Sequence, residues 1–146
     1  MNRDIKKIVS YYKRKTGTSD PFAIADQLSI LYQICNLQFE GCYMFLKNHR
    51  YIFINENLPE HEQRLVMAHE LGHALLHRKE NCYFIRNKTL LLNSKKEIEA
   101  NRFAMELLLP DSFLDEYKEF TIEQISRMTG YHKKLIELKL VNERKK

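Results

Sequence analysis

The 146-residue chain has little of what marks secreted, fibrous or membrane proteins. It contains three cysteines, four glycines, three prolines and no tryptophan. The cysteines (Cys35, Cys42, Cys82) are odd in number, and no pair has metal-knuckle spacing. That excludes a disulfide framework and points to free, mostly buried thiols in a reducing compartment. No apolar run approaches the ~18 residues that a membrane span needs. The opening Met-Asn-Arg-Asp-Ile-Lys-Lys has no apolar signal region, so a cytoplasmic protein is expected. There are no repeats, no low-complexity stretch and no linker. With 44% hydrophobic and 29% charged residues, the composition excludes disordered and fibrous classes. The length fits one domain with a sizeable core.

The formal net charge of +5 invites a nucleic-acid or acidic-membrane reading. The charge is not spread evenly, however. Arg3, Lys6, Lys7, Lys13, Arg14 and Lys15 crowd the N-terminus against Asp4 alone. Lys133, Lys134, Lys139, Arg144, Lys145 and Lys146 crowd the C-terminus against Glu137 and Glu143. The body between them carries a small excess of acid.

Ile5, Ile8, Val9 and Tyr12 follow helical spacing, predicting an amphipathic helix to about residue 16 that Gly17 stops. Asp20-Pro21 reads as an N-cap followed by proline at the first helical position, opening a short helix over Phe22 to Leu28. Residues 30–39 read as a strand. Residues 42–46 and 51–54, around a polar Lys-Asn-His-Arg turn, read as a hairpin. Glu60 and Glu62 open a long helix to about His77, placed where carboxylates suit the helix dipole. Residues 79–95 are expected to be irregular. A second strong helix is expected from about 96 to 109, ended by Pro110. Short helices with a turn at Gly130 should follow.

The chemistry concentrates in residues 65–76, Leu-Val-Met-Ala-His-Glu-Leu-Gly-His-Ala-Leu-Leu. Only His69, Glu70 and His73 can ionise there, so this helix should be buried nearly all round and carry three titratable groups inside. Unpaired, they would cost several kcal/mol. A metal ion would compensate. His69 and His73 stand at i and i+4 on one helix face and can converge on one Zn²⁺. Glu70 lies about 100° round the axis, off the ion, where a general base belongs. Gly72 is expected to permit close approach of another element.

A third ligand is required. On a wheel with Glu97 at 0°, Glu99, Arg102 and Glu106 fall at about 200°, 140° and 180°, a polar stripe expected in solvent. Ala100, Phe103, Ala104, Leu107 and Leu108 form the buried side. Glu97 then points into the core as the third ligand, and its competitor Glu99 points to solvent. Asn101 shares its face one turn on, as the partner that orients a ligand histidine. His77 lies about 12 Å from His69 along the axis, so one ion cannot take all three histidines. It is expected to be structural or to support a ligand.

His-Glu-Leu-Gly-His-Ala-Leu-Leu-His (69–77), followed by Glu-Ile-Glu-Ala-Asn-Arg-Phe-Ala-Met-Glu-Leu-Leu-Leu-Pro (97–110), resembles the ImmA/IrrE family of zinc metallopeptidases. The family's zincin-type core uses H-E-x-x-H and then E-x-x-A-[ND]-x-F-A with a Leu-rich helix end at proline. The likeness spans roughly residues 20–140. It implies His69, His73 and Glu97 as Zn²⁺ ligands and Glu70 as base. One departure is Leu109, where the family often has methionine. Many such proteins come from phages and integrative elements, where they resemble partners of a helix-turn-helix repressor that they cleave or inactivate.

The expected architecture is therefore an α+β, zincin-like single domain. A small antiparallel sheet and the metal helix make a core over about 20–110, and residues 111–146 make a helical, helix-turn-helix-like subdomain. The expected function is a zinc-dependent endopeptidase acting on an intracellular protein, with a transcriptional repressor as the plausible substrate and no membrane partner. Two rivals stand beside it: a binding protein that inactivates its partner without cleavage, and a DNA-binding regulator using residues 121–141 with Lys133 and Lys134 on the duplex. In the bland reading of 121–141, which we favour, the two helices close the core. The strand at 51–54 could receive an extended substrate along its edge. Tyr43, Tyr83, Tyr131 and His132 are candidate oxyanion stabilisers.

Overall fold

A computed structural model describes residues 3–84 and 94–144. Helix α1 (Ile5–Thr16) is capped by the Asp4 carboxylate on the Lys7 amide and ended by Gly17 in the left-handed region (φ 72°). Asp20 caps α2 (Pro21–Gln27) as expected. Strands β1 (Leu31–Cys35), β2 (Gly41–Leu46) and β3 (His49–Asn55) follow, then the long helix α3 (Glu60–Leu76). Beyond it come strand β4 (Cys82–Phe84) and helix α4 (Lys95–Leu108), capped by the Ser94 hydroxyl. Helices α5 (Asp111–Glu116), α6 (Ile122–Thr129) and α7 (Lys133–Arg144) complete the described chain. Much of the expected irregular stretch, residues 85–93, lies outside the described residues.

The sheet has four strands in the order β1-β3-β2-β4. The expected β2–β3 hairpin forms, but the sheet is mixed rather than antiparallel, because β1 pairs parallel to β3. This corrects a second expectation. Strand β3 is interior, flanked by β1 and β2, so residues 51–54 have no open edge to offer a substrate. Periodicity finds strands but does not report their order, and here β1 covers that edge.

One face of the sheet presents Tyr43, Ile52 and Ile54, all fully buried, against α3 and α2. Helix α3 is buried from Val66 through Ala74, as its sequence of apolar residues demanded. Helix α4 is packed by α3, α1 and α7. A second apolar cluster joins Met105 and Leu109 of the α4 end to Leu114, Ile125, Tyr131, Leu135 and Ile136. Leu65 and Leu108 touch both clusters. The apolar faces of α6 and α7 are thus spent on this packing, while Lys133 and Lys134 are exposed.

Candidate metal centre

The i, i+4 spacing on α3 brings the His69 and His73 rings together, with centroids 4.9 Å apart. Both are buried, as is Glu70 beside them. One nitrogen of each ring and a Glu70 carboxylate oxygen lie within 4.8 Å of one another. From α4, Glu97 reaches the same place. Its Oε2 stands 2.9 Å from His69 Nε2 and 3.1 Å from His73 Nε2. Two carboxylates therefore face the histidine pair, and of the two it is Glu97 that meets both Nε2 atoms through one oxygen.

Two glycines make this convergence possible. A Cβ on Gly72 would sit 3.1 Å from Phe103 Cβ and 3.2 Å from Ala100 Cα, so α3 and α4 touch where α3 has no side chain. A Cβ on Gly41, at the start of β2, would sit 2.5 Å from Val66 Cγ1, 2.9 Å from Phe53 O and 3.6 Å from Glu70 Oε2. Gly41 thus lets β2 lie close against Val66 of α3, one turn before Glu70. The sequence signal for it was a glycine opening a strand, which marks close backbone approach, but the strand was expected to begin one residue later.

The ring nitrogens facing away from Glu97 are also held. Asn101 Oδ1 lies 2.7 Å from His69 Nδ1, matching the partner expected from the wheel. An amide oxygen only accepts, so His69 Nδ1 carries the proton and Nε2 presents a lone pair to Glu97. Two lone-pair atoms at 2.9 Å repel unless a proton or a cation lies between them. Burial opposes ionisation of Glu97, but its close contacts with the His69 and His73 rings outweigh it, holding its carboxyl well below the usual range. The donor set, two imidazole nitrogens and a carboxylate oxygen, suits Zn²⁺.

Glu99 and Glu106 correct the wheel. Both were expected in solvent, and both are buried. Glu99 accepts from His77 Nε2 at 2.8 Å, and His77 Nδ1 stands 3.1 Å from His73 Nδ1. Burial, only partly offset by Glu99, lowers the His77 pKa. Glu106 pairs with buried Lys139 of α7, which also reaches Asp111 at 2.6 Å. The wheel assumed one buried side, whereas α4 is enclosed by three helices.

Three of the four oxyanion candidates lie elsewhere or are otherwise engaged. The Tyr43 hydroxyl donates to Arg78 O. Tyr131 stacks on His61, with centroids 4.9 Å apart, in the second cluster. His132 Nδ1 accepts from the Lys134 amide. The Tyr83 side chain lies outside the described residues.

Two buried histidines and buried Glu70 of α3, with half-buried Glu97 of α4, form a donor set that could hold a metal ion. The sequence profile of a peptidase family, the IrrE N-terminal-like domain, matches residues 25–134, and the chain belongs to that family. It is 42% identical, over 97% of its length and 92% of the relative's, to a protein of Bacillus phage phi105 described as uncharacterized immunity region protein 2. It is 43% identical over 79 residues to metallopeptidase ImmA of Bacillus subtilis (strain 168), an alignment covering 51% of this chain and 46% of that protein. Among the described residues no helix is long and apolar enough to cross a membrane.

Proposed function

We propose that the chain is a zinc-dependent endopeptidase acting on a specific intracellular protein, with a helix-turn-helix repressor of a phage or mobile element as the substrate class. The observation that carries this reading is the single Glu97 oxygen within 2.9 and 3.1 Å of the two Nε2 atoms, with buried Glu70 alongside. Family membership and the immunity-region description of the phage relative support it.

In this reading His69, His73 and Glu97 hold Zn²⁺. When bound, the ion supplies Lewis acidity that polarises the scissile carbonyl and makes a water more acidic. Glu70 takes the proton from the attacking water and returns it to the departing amine. Asn101 fixes the His69 ring, and the buried surroundings of Glu70 strengthen its electrostatic effect.

The purified protein is expected to hold about one zinc per chain. Glu70→Gln should keep the metal and lower cleavage of a helix-turn-helix repressor substrate by about 10²–10⁴-fold. Glu97→Ala should release the metal more readily. A Glu70→Gln protein that still relieves repression fully would overturn the peptidase reading in favour of inactivation by binding.

A further inference from the structure

His73 lies one turn beyond His69 on α3, and it is His77, not Asn101, that meets its second ring nitrogen. The chain of contacts is short and buried: His73 Nδ1 to His77 Nδ1 at 3.1 Å, then His77 Nε2 to Glu99 Oε1 at 2.8 Å. Arg3 Nε lies 3.9 Å from the other Glu99 oxygen and supplies a counter-charge, while its guanidinium also donates to Leu76 O.

The direction of each hydrogen bond follows from donor and acceptor chemistry. A carboxylate only accepts, so His77 Nε2–H donates to Glu99. A neutral imidazole then has a bare Nδ1, which accepts. His73 Nδ1–H must therefore donate to His77, and His73 Nε2 is left as a lone pair facing Glu97. The opposite order would put the proton on His73 Nε2 and block it as a ligand.

We propose that Glu99 and His77 are positioning residues that lock His73 in its Nδ1–H tautomer and aim its Nε2 at the place shared with His69 and Glu97. The proposal rests on the metallopeptidase reading above and adds to it. Helix α4 would then serve both histidines, with Asn101 holding His69 directly and Glu99 holding His73 through His77.

Long-range ¹⁵N–¹H correlation spectra of the metal-free protein at mildly alkaline pH report the tautomer of each ring. Competition with a chromophoric chelator reports zinc affinity. In the wild type, His73 should be the Nδ1–H tautomer. His77→Phe should shift it towards Nε2–H and weaken zinc binding by about 10–100-fold. Glu99→Leu should do the same. Glu99→Gln keeps an oxygen that accepts from His77, so it should stay within a few-fold of wild type, a rescue that simple loss of packing would not give. If His77→Phe fails to fold, the two Glu99 variants carry the test. Variants that bind zinc as the wild type does, with His73 unchanged, would overturn the relay and leave the metal site standing. A wild type that binds no zinc would overturn the metallopeptidase reading, and the tautomer measurement would still judge the relay.

Discussion

Gly72→Ala tests how tightly the two helices of the site are pressed together. In a free helix this change stabilises by about 0.8–1.0 kcal/mol. In α3 the new methyl would stand 3.1 Å from Phe103 Cβ and 3.2 Å from both Ala100 Cα and Ala100 O. Carbon–carbon contacts settle at about 3.5–4.0 Å, so α4 would have to retreat by roughly 0.3–0.8 Å. None of the three neighbours is the far end of a flexible side chain, so rotamer changes cannot relieve the crowding. Overpacking of this kind costs about 1–3 kcal/mol. Set against the helix-propensity gain, the net is a loss of roughly 1 kcal/mol. The larger effect falls on the site. Ala100 lies between Glu97, which meets both Nε2 atoms, and Asn101, which holds His69. A retreat of α4 lengthens all three contacts together, and zinc affinity should fall by about tenfold or more. Urea unfolding of the metal-free protein gives the first quantity and chelator competition the second. A variant stabilised by the full propensity gain, with unchanged zinc affinity, would refute the close packing inferred here.

Two further outcomes follow from buried groups away from the ligands. Lys139→Ala removes the buried cation that Glu106 pairs with and should cost about 3–5 kcal/mol, whereas Lys139→Met with Glu106→Gln should recover most of that; equal losses in the single and double variants by urea unfolding would contradict this. Burial and then the Glu70 charge push the Cys42 thiol up to about 11 from an ordinary 9.0, against an opposing backbone hydrogen bond from Phe53. The unfolded thiol therefore ionises first, so stability is undiminished below pH 9.0 and is lost as pH rises towards 11, by up to about 3 kcal/mol. Cys42→Ala should flatten that alkaline limb, and identical limbs in wild type and variant would remove the thiol as its cause.

Much of the architecture could be read from local patterns, because each rested on one dominant requirement. The Asp20-Pro21 cap, the Gly17 stop and the β2–β3 hairpin each depend on a few adjacent residues, and each is where the pattern put it. The convergence of His69, His73 and Glu97, with Asn101 behind, was legible for a similar reason. An apolar run with three ionisable groups has few ways to satisfy them, and helical phase then sets which neighbours can help. The parallel pairing of β1 with β3 was not legible, because strand order depends on long-range contacts that no window of sequence contains.

The charged residues show where that limit lies and what it conceals. A wheel assigns a carboxylate to solvent when apolar residues fill the other side, but it cannot see a third helix. Glu99 and Glu106 look like an outer stripe until α1 and α7 close over α4. Once they do, the uneven charge distribution acquires an internal explanation. Lys6 of α1 pairs with Asp111 at 2.5 Å, Arg3 lies 3.9 Å from Glu99, and Lys139 of α7 is buried against Glu106 and Asp111. Part of the basic ends is thus matched to acid on the helices they cover. This weakens the case that the overall positive charge serves a nucleic acid, since matched charges attract phosphate poorly. It also gives the termini a part in the site. The Arg3–Glu99 contact ties the approach to α1 to the His77–His73 chain, so truncation before residue 4 should loosen the metal centre without removing any ligand. A truncated chain that retained full zinc affinity would confine the role of these ion pairs to holding the helices together.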